Sequence, residues 1–112
     1  MKQISHDEAC KKLSEWLSVP FDEVSARLQD YTFTEVRGAV ISCRGPELHA
    51  TAPNELQGRW FGKDVVREIM GPILKQYGYI KTSVPEGYPK GLEFVQRLGF
   101  HQISGVNWEL RC

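Results

Sequence analysis

The middle of the chain switches between two hydrophobic periods, which limits the ways in which its strands can be connected. Residues 47–52 have the pattern of a short strand, residues 60–77 carry apolar side chains at helical spacing, and residues 79–84 again have a strand pattern. When a helix joins two neighbouring strands of one sheet, the strands are parallel and the crossover is right-handed. The sequence therefore predicts a β–α–β unit at its centre.

Two helices are predicted before this unit. Ser5 and Glu8 form a capping-box pattern, and apolar residues then recur at helical spacing, so a helix is predicted over 6–17. Pro20 suits the first turn of a second helix that continues to Leu28. Residues 1–30 are therefore predicted to be mainly helical.

The remaining sequence predicts antiparallel strands around the central unit. Residues 31–36 alternate in polarity, and residues 39–43 are the predicted returning strand of a hairpin. A helix over 88–98 is followed by two short strands, 100–104 and 106–111. The predicted order is ααβββαβαββ, which indicates an α/β (α+β) fold with a mixed, mostly antiparallel sheet and helices on both faces. The whole chain is expected to form a single domain.

Within the helix predicted at residues 60–77, Gly71-Pro72 interrupts an otherwise regular pattern. Pro72 cannot donate a hydrogen bond to the carbonyl of Glu68, so a kink is expected there. Gly78 is the expected C-cap. The apolar residues of this helix are predicted to share one face: Val65, Val66, Ile69, Met70, Ile73, Leu74 and Tyr77.

The charge balance argues against a nucleic-acid-binding protein. The 112 residues include 14 Lys and Arg and 14 Asp and Glu, so the formal net charge is zero. Most nucleic-acid binders draw their affinity from a basic surface, and this chain has no basic excess. Because a neutral chain is weakly protected against self-association, a homo-oligomer is a possible assembly.

The cysteine pattern and the first residues predict a cytoplasmic protein. The 3 cysteines, Cys10, Cys43 and Cys112, form no CxxC pair, which argues against a disulfide framework and against a zinc site. The chain starts with a charged amphipathic stretch and has no long apolar run. Neither a signal peptide nor a membrane span is therefore expected.

Two segments resemble motifs of the GNAT (Gcn5-related N-acetyltransferase) superfamily. Residues 48–63 resemble the family's acetyl-CoA-binding strand, loop and helix, in which the loop follows the pattern Gln/Arg-x-x-Gly-x-Gly/Ala. Residues 84–100 are similar to a later segment of the family, which ends in the corner Leu98-Gly99-Phe100. The order and the spacing of the two motifs make the resemblance more specific than either motif alone.

The resemblance implies that acetyl-CoA binds as a co-substrate, with its pyrophosphate at the turn before the central helix. The implied binding residues are Gln57, Gly58, Arg59, Trp60, Phe61, Gly62 and Lys63. Backbone N–H groups and the helix dipole at such a turn favour an anion, and Arg59 and Lys63 would add full positive charges. The alternative is an ordinary loop with both cations in solvent.

The sequence departs from the family's pattern in ways that bear on catalysis. Trp60 replaces the middle glycine of the loop, where an indole would crowd or cover the phosphates. Val95 occupies the position of a tyrosine that protonates the leaving CoA thiolate in many family members, and Tyr79 and Tyr88 are the alternative proton donors. The family's first strand, before the helices, is expected to be absent.

Acyl transfer to an amine also needs a base that accepts the proton of the amine. In the family, the strand at residues 47–52 flanks the acyl group, and its period of two puts Glu47, His49 and Thr51 on one face. Glu47 and His49 are therefore the candidate catalytic residues. The alternative for His49 is a hydrogen-bonded strand residue without a catalytic role.

The other histidines and Cys43 are expected to have structural roles. His6 falls on the first helix and His101 after the Leu-Gly-Phe corner, where both are expected to be structural or exposed. Cys43 has no partner histidine that spacing would identify, so a buried strand thiol is predicted. No metal ligand set is predicted.

The resemblance implies an acyl-CoA-dependent N-acyltransferase that transfers an acetyl group to a primary amine. Its partners would be a CoA thioester and an amine acceptor that the sequence does not identify. The alternative is a GNAT-fold protein without catalysis, which Trp60 and Val95 favour. The chain is similar to short, divergent GNAT-like proteins of tailed phages, some of them labelled as head-assembly or internal virion products. Such a protein would contact phage structural proteins and be associated with the virion.

Overall fold

Strands and helices alternate along the chain in the computed structural model, which describes residues 1–56 and 59–111. The strands are β1 (Lys2–Ile4), β2 (Thr32–Val36), β3 (Ala39–Arg44), β4 (Glu47–Thr51), β5 (Tyr79–Ser83), β6 (His101–Ser104) and β7 (Asn107–Arg111). The α-helices are α1 (His6–Leu17), α2 (Phe21–Arg27), α3 (Lys63–Val65), α4 (Gly71–Tyr77) and α5 (Pro89–Arg97). A 3-10 turn (Asn54–Leu56) follows β4, and a π-helical turn (Val66–Met70) joins α3 to α4.

Hydrogen bonds join these strands in the order β1-β2-β3-β4-β5-β7-β6. The pairs β1–β2, β2–β3, β5–β7 and β6–β7 are antiparallel. The pair β4–β5 is parallel, with Glu47 opposite Lys81. The predicted α/β (α+β) class, with a mostly antiparallel sheet and a central β–α–β unit, is therefore confirmed.

The prediction that no strand precedes the helices is wrong. β1 pairs antiparallel with β2, and Ile4 lies opposite Phe33. Ile4 is buried, whereas Lys2 and Gln3 are exposed. A strand of 3 residues with one buried side chain is too short to display an alternating pattern, so the sequence does not reveal it.

α1 occupies the predicted residues because the sequence supplies both of its end signals. The Glu8 N–H donates to Ser5 Oγ at 3.1 Å, and Ser18 ends the helix in the left-handed region with a φ of 54°. α2 begins at Phe21 with Pro20 at its N-cap, one position earlier than the predicted place of this proline in the first turn.

The helix at residues 63–77 contains one wide turn directly before Pro72. The Gly71 N–H donates to the Val66 carbonyl, five residues back, which defines a π-helical turn. Because Pro72 has no N–H, the regular α-helical bond to the Glu68 carbonyl cannot form. A π-helical turn is therefore present directly before Pro72, and the predicted kink stays a prediction.

The end of this helix follows the prediction, and its apolar face does so only in part. Gly78, with a φ of 83°, donates to the Leu74 carbonyl at 2.8 Å as the predicted C-cap. Val65 is buried, but Val66 and Tyr77 are 44% and 42% exposed. A single apolar face is not formed because the π-helical turn changes the angular spacing of the residues on either side of it.

Contacts divide the described chain into two compact units. The first contains Met1–Arg44 and the described part of His49–Phe61, and the second contains Gly45–Leu48 and the described residues from Gly62 onward. β4 therefore contributes residues to both units. The core of the first unit joins β1, α1, α2 and the β2–β3 hairpin through Ile4, Ala9, Cys10, Leu13, Val24, Phe33 and Val40.

The second unit contains the predicted corner between α5 and β6. The Phe100 N–H donates to the Val95 carbonyl at 2.9 Å, and both side chains are buried. Other buried apolar residues of this unit are Val65, Met70, Ile80, Val84 and Trp108. Among the described residues, no helix has both the length and the apolar character that crossing a bilayer would need.

Candidate functional site

The predicted cofactor-binding turn leads directly into the helix at residues 63–77. Gly62 is the N-cap, in an extended conformation with a φ of −158°, and it has no side chain that would cap the helix. The Gly62 carbonyl accepts a hydrogen bond from the Val65 N–H at 3.1 Å. The residue that starts this helix therefore supplies no side-chain acceptor to the first amides, an arrangement that suits an anion.

Two charged residues, Lys63 and Asp64, begin this helix, and a third, Arg59, comes before Gly62 in the sequence. Arg59 and Lys63 are exposed, as expected for cations that would meet an anionic ligand. Asp64 is half-buried, and its Oδ1 accepts a hydrogen bond from the Val65 N–H at 3.0 Å. The sequence motif did not identify Asp64, although an acidic residue in a first helical turn is a common signal.

Part of the predicted motif lies outside the described residues. Gln57 and Gly58, which begin the Gln-x-x-Gly-x-Gly pattern, belong to this part. Arg59 follows them in a turn, and its N–H donates to the Leu56 carbonyl at 3.0 Å. Leu56 and Arg59 are therefore the described residues that bound the start of the candidate turn.

Trp60, which the sequence resemblance places at the position of a glycine, is buried within the first unit. Its side chain is 8% exposed, and its ring meets Phe61 edge to face at a centroid distance of 5.5 Å. Arg37 donates from Nε, at 2.9 Å, and from Nη2 to the Trp60 carbonyl. The indole is therefore buried against Phe61, and the carbonyl of the same residue is held by Arg37.

Arg37 is a residue of this region that the sequence motif does not identify. It lies in the turn between β2 and β3, with a φ of 48°. The pair Arg37-Gly38 between two strand patterns indicates a hairpin turn, but nothing in the sequence links this turn to Trp60. Such a contact between distant segments becomes visible only when both are folded.

The two candidate catalytic residues lie two positions apart on β4. Glu47 and His49 are both half-buried, and the period of two places their side chains on the same face of the strand. In the second unit, Glu47 lies opposite Lys81 of β5. His49 belongs to the first unit, where its ring lies 6.2 Å from the ring of Tyr31.

His49 lies in a group of three neighbouring side chains within the first unit, with Tyr31 between its ring and Arg44. The Arg44 Cζ lies 5.0 Å from the centroid of the Tyr31 ring, so Tyr31 contacts both a guanidinium and the His49 imidazole. This contact is compatible with the alternative of a packed strand residue. The role of His49 as a general base stays a prediction.

Val95, which the sequence resemblance places at the position of a proton-donating tyrosine, has no group that could donate a proton. It is 6% exposed in α5 and presents a hydrocarbon side chain. The alternative donors lie elsewhere in the second unit. Tyr88 precedes α5 and is 38% exposed, whereas Tyr79 is half-buried in β5 with the Arg111 Cζ 5.6 Å from its ring centroid.

His6 belongs to a small polar cluster that connects the first two helices. Its Nε2 lies 3.0 Å from Ser25 Oγ and 3.5 Å from Cys10 Sγ, and its ring meets the edge of Phe33. Burial, followed by the charge of Asp7, raises the pKa of the Cys10 thiol. The spacing of His6 and Cys10 on one helix is visible in the sequence, but the contact with Ser25 is not. These contacts agree with the structural role that the sequence predicts for His6.

The predicted site residues fall into two described groups, residues 59–63 at the start of the helix and the two half-buried residues of β4. Within residues 1–56 and 59–111, no group of three or more His, Cys, Asp and Glu side chains is arranged to hold a metal ion. A scan against protein-family models and a search of curated proteins found no match for this chain.

Proposed function

We propose that the protein is an acyl-CoA-dependent N-acyltransferase of the GNAT type, which transfers an acetyl group to a primary amine. The observation that carries the proposal is the junction at Gly62, where a helix whose N-cap residue has no side chain follows a strand and a loop that resembles the family's motif. The pyrophosphate of acetyl-CoA would accept hydrogen bonds from the amides of this turn. Arg59 and Lys63 would add charge-assisted contacts.

The order of the elements supports the GNAT resemblance. The family has a strand before its first helices, and β1 occupies that position in this chain. β4 comes before the helix at residues 63–77 and β5 follows it, and the two strands are parallel, as in a β–α–β unit. The corner at Gly99, with a φ of 93°, follows α5. One of the expected departures from the family therefore no longer argues against the proposal.

The proposed reaction forms a C–N bond and breaks a C–S bond. The amine nitrogen attacks the thioester carbonyl of acetyl-CoA, and the thiolate leaves. Glu47 or His49 would accept the proton that the amine loses, since a carboxylate and a neutral imidazole are both competent bases. The thiolate is protonated by a group other than Val95, with Tyr79 and Tyr88 as the candidate donors.

A second candidate function is a GNAT-fold binding module without catalysis. The specific observation in its favour is Val95, a buried valine at the position of the family's proton donor. A module of this kind, such as a phage head-assembly or virion protein, would need the scaffold but would not need the CoA turn. Binding of acetyl-CoA therefore separates the two functions.

Isothermal titration with acetyl-CoA tests the proposal, with Gly62→Glu and Gly62→Ala as a matched pair of variants. The wild type should bind with a Kd on the order of 1 μM, which corresponds to about 8 kcal/mol. Gly62→Glu should abolish binding because it places a negative charge at the anion site. Gly62→Ala should retain binding, because an extended backbone with a φ of −158° is open to any residue.

The charged side chains provide a second comparison. Arg59→Gln and Lys63→Gln should each weaken binding by about 1 kcal/mol, whereas Lys75→Gln, near the other end of the helix, should not. If the folded wild type shows no binding at millimolar acetyl-CoA, the acyltransferase proposal is wrong. The binding module is then the better account of the fold.

A further inference from the structure

The turn between β2 and β3 holds an arginine in a conformation that non-glycine residues seldom adopt. Val36 and Ala39 pair across the hairpin, so Arg37 and Gly38 are its two turn residues. Their φ angles are 48° and 90°, both in the left-handed region. A side chain in this region is strained, and the strain persists where the surrounding contacts hold it in place. The contacts of Arg37 therefore indicate what this turn does.

The guanidinium of Arg37 binds the backbone of the candidate turn. Its Nε donates at 2.9 Å to the Trp60 carbonyl, and its Nη2 donates to the same oxygen. Both bonds are charge-assisted and partly buried, and the Trp60 side chain is only 8% exposed. The carbonyl of Trp60 is thus fixed from one side by two donors and by the packing of its own side chain.

Fixing this carbonyl also fixes the next amide group. The Trp60 carbonyl and the Phe61 N–H belong to one planar peptide unit, in which they point in opposite directions when the bond is trans. The described chain contains no cis peptide bond. Arg37 therefore sets the direction of the Phe61 N–H, which comes directly before the N-cap Gly62.

The same hairpin turn also contacts Leu56, which comes before the candidate turn in the sequence. A Cβ added to Gly38 would lie 2.5 Å from Leu56 Cδ1, so the space beside this glycine is filled by Leu56. Leu56 in turn accepts, through its carbonyl, the hydrogen bond from the Arg59 N–H. The hairpin turn thus contacts described residues on both sides of positions 57 and 58.

We propose that Arg37 is a positioning residue of the candidate cofactor site, which it acts on through the Trp60–Phe61 peptide. Gly38 assists by leaving room for Leu56. The hairpin turn thereby holds the Trp60–Phe61 peptide, which belongs to the candidate cofactor site. The link to CoA rests on the proposed function, whereas the hold on the peptide is a property of the free protein.

NMR of the free protein tests the hold on the peptide, with Arg37→Gln, Arg37→Lys and Arg27→Gln compared with the wild type. Arg27 is an exposed arginine of the same unit that pairs with Glu23, so Arg27→Gln is the matched loss of charge. Arg37→Gln should shift the carbonyl ¹³C resonance of Trp60. It should also speed hydrogen exchange of the Arg59 amide by about tenfold, because both charge-assisted bonds to the Trp60 carbonyl are lost and the neighbouring turn opens more easily.

Two further variants keep this test decisive. Arg37→Lys retains the charge and one donor nitrogen, so it should fold even where Arg37→Gln does not. Its Trp60 carbonyl ¹³C shift and its Arg59 exchange rate should lie between those of the wild type and Arg37→Gln. Gly38→Ala should displace the Leu56 methyl resonances, and Arg27→Gln should change neither readout. If the Arg37 variants have the same Trp60 carbonyl ¹³C shift and the same Arg59 exchange rate as Arg27→Gln, the proposal is wrong, whatever the protein binds.

Titration with acetyl-CoA then tests the positioning role separately. Arg37→Gln should weaken binding by about tenfold, and Arg37→Lys should restore only part of the loss, because one donor replaces two. Full restoration by lysine, or equal binding by Arg37→Gln, would refute positioning. If the wild type itself does not bind, the proposed function fails, and the NMR result alone decides whether Arg37 holds the peptide.

Discussion

Cys43 lies near the end of β3, where its thiol is partly covered by the fold. Burial raises its pKa from the ordinary value of 9.0 to about 11. Because the thiolate is the nucleophilic form, this thiol is unreactive near neutral pH. The residue is half-buried, so it is less enclosed than the buried strand thiol that the sequence predicts. Its chemistry nevertheless agrees with that prediction.

The raised pKa of Cys43 makes the stability of the protein depend on alkaline pH. Between pH 9 and about 11, the unfolded chain has lost the Cys43 proton while the folded chain still holds it. The contribution of this group to the free energy of unfolding is therefore complete below pH 9 and is lost as the pH rises through about 11. Denaturant titrations across this range should show a steeper loss for the wild type than for Cys43→Ala. Parallel curves would contradict the pKa.

At the residue scale, local contacts are predictable from the sequence and distant ones are not. The bond between Ser5 and Glu8 follows from a spacing of three residues, because the helix itself brings them together. The bond between Arg37 and Trp60 spans 23 residues and depends on where two loops meet. The motif therefore predicts the residues of the candidate turn, but it does not predict the arginine that holds its backbone.

At the scale of single elements, end signals explain why α1 is predicted residue by residue. Ser5 should therefore control the stability of this helix. Ser5→Ala removes the acceptor for the Glu8 N–H and should lower the free energy of unfolding by about 1 kcal/mol. Ser5→Asp, which keeps an acceptor and places a negative charge at the helix start, should retain the wild-type value. Urea titrations of both variants provide the measurement, and equal stability of all three proteins would exclude the cap.

Other elements lack such end signals, and the sequence predicts their ends or their existence incorrectly. The helix predicted from Trp60 begins only at Lys63, because Trp60 and Phe61 pack against each other before the chain turns. β1 has 3 residues and no side-chain signal at its ends, so the sequence does not predict this strand. Helix ends marked by side-chain hydrogen bonds can thus be predicted from the sequence, whereas ends determined by tertiary packing cannot.

At the scale of the whole molecule, β1 belongs to the core of the first unit. Ile4 is 8% exposed and packs with residues of both N-terminal helices and of the β2–β3 hairpin. Ile4→Ala should therefore lower the free energy of unfolding by about 2 to 4 kcal/mol. Ile103→Ala is the matched control, since Ile103 is 60% exposed in β6 and should change stability by less than about 0.5 kcal/mol. A similar, small effect of both variants would remove β1 from the core.

The topology is predictable at this scale because the change in hydrophobic period is repeated along the chain. A strand pattern, a helical pattern and a second strand pattern predict the parallel pair that β4 and β5 form. The division into two compact units is different, because it depends on contacts and not on sequence order. The candidate site illustrates this point: Glu47 and His49 are neighbours on one strand, yet they belong to different units.

The π-helical turn at Val66–Met70 has a consequence for any alignment of this chain. A bond from Gly71 to Val66 encloses one residue more than an α-helical bond does, so the helix contains one residue beyond regular α-helical numbering. Each residue step of an α-helix rotates the side chain by about 100°. A correct alignment with an uninterrupted helix therefore needs a one-residue gap between Val66 and Gly71. Without this gap, every later residue would be matched to a position about 100° away around the helix axis.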